Sequence, residues 1–183
     1  SAIVADVEDQ AKNIQSMYER MAMHHPKDIM EVRIKPHVRS QKTRIFEGRG
    51  CQLNIGSAQK PDSLRSFDFS MLHGSEVGLW KDTKSKTAAD IIQALQATVL
   101  NTRDTAIILE STAKGVGNFF HKEWLKAVRG ETNYTPVFIP WYKIEEYIAG
   151  KIRLKRDVID FLGTFNDYDW WLWEEGATLE AIK

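Results

Sequence analysis

Thr105-Ala106-Ile107-Ile108-Leu109 is the segment that most restricts what this chain can fold into. It carries no charge and no polar alternation. Such a run suits a strand covered on both faces, which parallel sheets usually require. Upstream, Thr87–Leu100 repeats Ala88, Ile91, Ile92, Leu95 and Val99 at three- and four-residue steps, an amphipathic helix with Thr87 or Ser85 as its cap. Before that, Phe67–His73 is strand-like and rich in Phe, Met and Leu, with Gly74 closing it. Strand, helix and strand over 67–109 form a crossover unit that places both strands in one sheet.

The remainder is consistent with that unit. Residues 2–7 form a short β-branched strand, and Glu8 to about His25 turns helical through Ala11, Ile14, Met17, Tyr18 and Met21, stopping at Pro26. Thr43–Glu47 and Gln52–Gly56 are two strands joined by Gly48-Arg49-Gly50, a hairpin signal. Asn118 caps a helix running to about Val128, Tyr134–Trp141 reads as a further strand, and 144–149, 155–163 and 166–175 read as helices. The expected fold is α/β: a largely parallel sheet flanked by helices, with a helical C-terminal extension. The expected division is 1–143 for the sheet-bearing part and 144–183 for the extension.

Composition narrows the function classes. The chain has 183 residues, 43% hydrophobic and 27% charged, so it can bury a proper core. Lys plus Arg and Asp plus Glu both number 25, which excludes the overall positive footprint of a free-standing nucleic-acid binder but leaves room for a local basic patch. One cysteine, Cys51, excludes a disulfide framework and a cysteine-based zinc site. Every apolar run is far shorter than the ~18–20 residues a membrane span needs, so no membrane association and a cytoplasmic location are expected. The chain opens on Ser1-Ala2 with a strand already under way and ends helix-like at Glu180-Ala181-Ile182-Lys183; it reads as a piece of a longer protein.

In open α/β sheets ligands sit at the carboxyl ends of the strands. Two such ends here carry unusual polar residues: His73-Gly74-Ser75-Glu76-Val77 and Leu109-Glu110-Ser111-Thr112-Ala113-Lys114-Gly115. An acid just past a buried strand can orient water, and small hydroxyls on a neighbouring strand can report on a phosphate. A plainer reading has Glu76 and Glu110 capping turns or pairing with Lys81 and Lys114.

The blocks His73–Trp80, Ile108–Phe120 and Pro136–Tyr142 resemble, in order and spacing, the ATPase domain of phage terminase large subunits, the motors that drive viral DNA into capsids. Ile3–Tyr18 resembles the segment soon after that family's phosphate loop, and Trp170–Ile182 resembles the run leading into its nuclease domain. The resemblance implies a phosphate-loop NTPase-like fold, here incomplete, with ATP and Mg²⁺ as cofactors. It implies double-stranded DNA, a portal protein and a small terminase subunit as partners, a homo-oligomeric ring, and action in the host-cell cytoplasm. By position, Glu76 resembles the general base or water-positioning acid for attack on the γ-phosphate. Ser75 stands where an Asp usually holds Mg²⁺ through water. Ser111 and Thr112 resemble the coupling motif that senses phosphate loss, and Arg65 resembles an arginine finger offered to a neighbouring subunit's nucleotide. A plainer reading of Arg65 is a surface arginine in a polar loop.

A phosphate loop needs G-x-x-x-x-G-K-[ST], and no Gly-Lys-Ser or Gly-Lys-Thr occurs in these residues. The expectation is that the phosphate-binding element lies upstream of Ser1 and that this piece alone does not turn over ATP. Two rivals fit the same motif order: another phosphate-loop translocase or helicase, and a non-catalytic prophage remnant or interaction module. Three further signals have ordinary explanations. Phe165, Tyr168, Trp170, Trp171 and Trp173 are interleaved with Asp167, Asp169, Glu174 and Glu175, which would repel a phosphate backbone, so a buried helix is expected instead of a base-stacking platform. His24, His25 and His37 lack companions at ligand spacing. Arg33, Lys35, His37, Arg39, Lys42 and Arg44 alternate as on one face of an extended strand, where they would meet phosphates or guard a sheet edge.

Overall fold

The computed structural model describes residues 1–24, 36–39, 43–46, 51–83, 86–148 and 155–183. They form two compact units, Ser1–Asn133 and Tyr134–Lys183.

The first unit is built on strand β1 (Ala2–Ala5), which is wholly buried. The side-chain period of two sends Ala2 and Val4 to one face and Ile3 and Ala5 to the other. Helix α1 (Glu8–Met23) covers the second face through Ala11, Ile14 and Tyr18, and ends at His24, just ahead of Pro26. Strands β2 (Pro36–Arg39), β3 (Thr43–Phe46) and β4 (Gln52–Ser57) follow as antiparallel neighbours, and β4 returns parallel to β1. The expected hairpin is therefore present, although its Gly48–Gly50 connection lies outside the described residues. Arg39 stands opposite Arg44 in the β2–β3 register, and β2 is the edge strand, so part of the basic segment does lie on a sheet edge. Arg33, Lys35 and Lys42 lie outside the described residues.

Strand β5 (Met71–Gly74) pairs parallel with β1 on its other side, and β6 (Ala106–Leu109) pairs parallel with β5. The sheet order is β2-β3-β4-β1-β5-β6, with four contiguous parallel strands. This is the expected α/β fold. Helix α2 (Ala88–Gln96) crosses between β5 and β6 and packs Ala88, Ile91, Ile92 and Leu95 with Val4, Phe69, Leu72, Val77 and Trp80. Thr87, not Ser85, is its cap: the hydroxyl accepts from the Asp90 N–H while the Asp90 carboxylate accepts from the Thr87 N–H, a reciprocal capping box. The helix stops short of Leu100 because Val99 bridges back to Phe69 as the chain turns toward β6. Helix α3 (Phe119–Val128) starts at Asn118, whose side chain accepts from the His121 N–H.

One expectation about β6 is corrected. Ile107 and Leu109 pack on the core, but Ile108 is 47% exposed and Ala106 is exposed with it. The strand lies at the sheet edge with one face to solvent, so its unbroken apolar sequence does not translate into cover on both faces.

In the second unit Tyr134–Trp141 is not a strand. Pro136 and Pro140 each remove a backbone donor, which a ladder does not tolerate, and Trp141–Lys143 closes into a 3-10 turn. Glu145–Tyr147 makes only one 3-10 turn where a helix over 144–149 was expected. Helices α4 (Lys155–Leu162) and α5 (Asp167–Glu174) match expectation, and α6 (Leu179–Ile182) ends the chain. A small core of Tyr142, Leu172, Ala177 and Ala181 holds this unit, with the Tyr142 hydroxyl donating to the Glu175 carbonyl at 3.2 Å. The aromatic helix is not buried: Leu172 is its one buried residue, and Trp170, Trp171 and Trp173 are 41–49% exposed. Rings satisfy one another instead, with Phe165 edge-on to Trp170 at 5.0 Å and Tyr168 stacked on Trp171 at 5.6 Å. Among the described residues no helix is long and apolar enough to cross a membrane.

Candidate functional site

The sheet order reverses between β4, on one side of β1, and β5 with β6, on the other. A crevice at the carboxyl ends of such strands is where open α/β sheets take ligands. Parallel register sets what meets there. His73 lies opposite Ile108 and Gly74 opposite Leu109, so the next residues out, Ser75-Glu76 and Glu110-Ser111, leave the sheet side by side.

Glu76 is held against the second segment. Its Oε2 accepts from the Thr112 N–H at 3.1 Å and the Thr112 hydroxyl at 2.9 Å, and lies 3.3 Å from the Ser111 hydroxyl, whose single proton it shares with the Thr112 carbonyl at 2.8 Å. Its Oε1 accepts from no described residue. The backbone that aims this carboxylate is unusual: φ 52°, ψ 44°, the one non-glycine in the left-handed region among the described residues. Such a conformation costs about 1–3 kcal/mol and persists only where surrounding contacts impose it. A 3-10 turn over Val77–Leu79 follows immediately.

The Ser111 hydroxyl also accepts from the Gly78 N–H at 3.0 Å. This approach explains the glycine: a Cβ at position 78 would lie 2.8 Å from the Ser111 Oγ. Ser75 is buried at 6% exposure, with its N–H donating to the Val4 carbonyl and its carbonyl accepting the Trp80 indole N–H. Trp80 thereby links the turn to the core beneath it.

Glu110 is half exposed; its carboxylate lies 3.4 Å from the His73 Nε2, and the nearby Ser75 hydroxyl and Glu76 N–H also favour its charged form. The His73 contact is the largest cause holding its carboxyl below the ordinary range, against a desolvation that would raise it. The bonding pattern therefore differs from the turn-capping pairs considered above: Glu76 meets Ser111 and Thr112, not Lys81, and Glu110 meets His73, not Lys114.

Of the residues singled out in sequence, Glu76, Ser75, Ser111 and Thr112 come together. Arg65 does not join them; it follows the 3-10 turn Pro61–Leu64 and pairs its Nε with Asp62 at 3.1 Å, with Lys86 on the other carboxylate oxygen at 2.6 Å. Sequence reasoning missed His73, Gly78 and Trp80 as parts of the site. Gly78 carried a usable signal, a glycine inside an apolar run two residues past an acid. His73 carried none, because its partner is set by strand register. No group of three or more His, Cys, Asp or Glu residues that could hold a metal occurs among the described residues.

No protein-family model and no curated protein matches the sequence. Among solved structures, the chain is similar to the large terminase ATPase domain of Thermus phage P74-26 in a point-mutant form, with a TM-score of 0.43 and 20% identity over 68% of this chain and 51% of that one. It is similar also to the same domain without that mutation, with a TM-score of 0.42 and 19% identity over 67% of this chain and 50% of the other. The chain thus spans about half the length of the terminase ATPase domains it matches.

Proposed function

We propose that the chain is part of the ATPase domain of a phage or prophage terminase large subunit, whose ATP hydrolysis drives double-stranded DNA into capsids. The observation that carries this reading is the meeting of Glu76 with Ser111 and Thr112 at the ends of two adjacent parallel strands. The resemblance of both segments to the same family, in the same order, supports it.

In this reading Glu76 positions the water that attacks the γ-phosphate. The Thr112 N–H and hydroxyl fix Oε2, with the Ser111 hydroxyl beside them, and Oε1 is available to accept from that water. Ser111 and Thr112 sense the departure of the γ-phosphate: the Thr112 hydroxyl bonds the carboxylate, the Ser111 hydroxyl stands between the carboxylate and the Thr112 carbonyl, and a change at the phosphate shifts those contacts and the exposed loop 112–117 behind them. Arg65 serves a neighbouring subunit's nucleotide in a ring, which accords with its place away from this chain's own cluster. The donor set is all oxygen, which fits Mg²⁺, a cation that takes one or two carboxylates and completes its shell with phosphates and waters. Ser75 and Glu76 would hold it through water, and the ion would neutralise charge on the phosphates. The phosphate loop, portal protein, small terminase subunit and host-cell cytoplasm belong to the same proposal.

The test is Glu76→Gln in the protein encoded by the complete reading frame. Hydrolysis should fall by at least ~10²-fold, the scale of a lost general base, while ATP affinity stays near wild type. Turnover close to wild type would remove Glu76 from this role.

A further inference from the structure

Glu110 meets the opposing segment 73–77 through both its backbone and its side chain. Its N–H donates to the Gly74 carbonyl at 3.0 Å and its carbonyl accepts from the Val77 N–H at 3.1 Å. Its carboxylate lies 3.4 Å from the His73 Nε2, with the Ser75 hydroxyl and the Glu76 N–H nearby favouring its charged form. The centre of that grip is the strained left-handed residue, Glu76. Successive N–H groups around a left-handed residue form a concavity that favours an anion; here the Val77 N–H donates to the Glu110 carbonyl at 3.1 Å, and the Glu76 N–H favours the charged form of the same residue's carboxylate.

We propose that Glu110 is a positioning residue: it holds the 73–77 turn in the conformation that aims Glu76 at Thr112. Ser75 fits the same arrangement. A serine hydroxyl can donate to the Glu110 carboxylate, whereas an aspartate at that position would oppose it with a second negative charge. The proposal rests on the reading of Glu76 as the water-positioning acid for its functional meaning, but its geometry is tested separately.

The Thr112 N–H donates to the Glu76 carboxylate at 3.1 Å, so its hydrogen exchange reports where Glu76 points. In the 183-residue chain, exchange measured by NMR should accelerate at Thr112 by about tenfold or more in Glu110→Ala, the scale of a lost bond to a charged acceptor. Leu72, deep in β5, should be unchanged. Glu110→Gln, which keeps one acceptor oxygen, should retain part of the protection. Wild-type protection at Thr112 in Glu110→Ala overturns the proposal. If Leu72 exchange also accelerates in Glu110→Ala, Glu110→Gln decides: selective loss at Thr112 upholds the proposal and uniform loss overturns it. In the protein from the complete reading frame, Glu110→Gln should lower kcat with KM for ATP unchanged. Loss of Thr112 protection without any effect of Glu76→Gln on turnover would sink the ATPase reading and leave the positioning role standing.

Discussion

Glu76 occupies a conformation that a residue with a Cβ ordinarily avoids, and the contacts that impose it come from residues more than thirty positions away. Its neighbour Gly78 shows how little slack the turn has. Gly78→Ala would drive a methyl to 2.8 Å from the Ser111 Oγ, and the neighbouring Thr112 carbonyl stands at 3.5 Å. Overpacking of this kind costs about 1–3 kcal/mol, read as a lower thermal midpoint. Adding Ser111→Ala removes the colliding oxygen, so the double variant should recover part of the loss. A double variant no more stable than Gly78→Ala alone would show that the collision is not the cause. The residue types at this site were legible in sequence: acid, glycine and hydroxyls at strand ends. Which atom touches which was not, because that depends on the left-handed turn, and nothing in Ser75-Glu76-Val77 announces it.

At the scale of elements, periodicity worked where burial is one-sided and local. Helix α2 shows this: its apolar stripe faces the core, and its cap was narrowed to Thr87 or Ser85 before the capping box with Asp90 distinguished them. Thr87→Ala should cost about 1 kcal/mol of stability, measurable by chemical denaturation. Hydrogen bonds from the Thr87 backbone and then its side chain hold the Asp90 carboxyl below its ordinary range. A carboxyl depressed in the folded state stabilises above its unfolded value and loses that contribution as pH falls through the folded one. The Asp90 contribution should therefore fade below about pH 4, and Asp90→Asn should flatten the pH dependence of unfolding over that range. An unchanged pH profile would mean that the box contributes nothing. Pattern failed where composition outran topology. Tyr134–Trp141 has the residues of a strand, but two prolines deny it a ladder, and β6 has the sequence of a central strand at the sheet's edge. The acids interleaved along α5 argue against base stacking and for a buried helix; in the structure its rings stay part-exposed and shield one another.

At the scale of the whole molecule, the chain holds an acid, a pair of hydroxyls and an arginine in the first unit, and no G-x-x-x-x-G-K-[ST] in its 183 residues. The purified chain should therefore bind ATP weakly and show no turnover above buffer in a phosphate-release assay; sustained hydrolysis would overturn the assignment of the missing element. Arg65 gives a prediction at the level of assembly. In the complete protein, Arg65→Ala protomers mixed with Glu76→Gln protomers should regain part of the activity that each lacks alone, because some interfaces then pair an intact arginine with an intact acid. No recovery at any mixing ratio would place Arg65 outside the reaction. Sequence by itself determined the parallel α/β frame, since alternating strand and helix periods leave few ways to bury both faces of β1 and one face each of α1 and α2. It determined too that Glu76, Ser111 and Thr112 would stand at strand ends. Only the tertiary structure decided that Glu110 grips the turn carrying Glu76 and that Gly78 opens space for Ser111. Those contacts follow from the register of β5 on β6, a pairing between segments far apart in the chain, and local propensity carries no information about it.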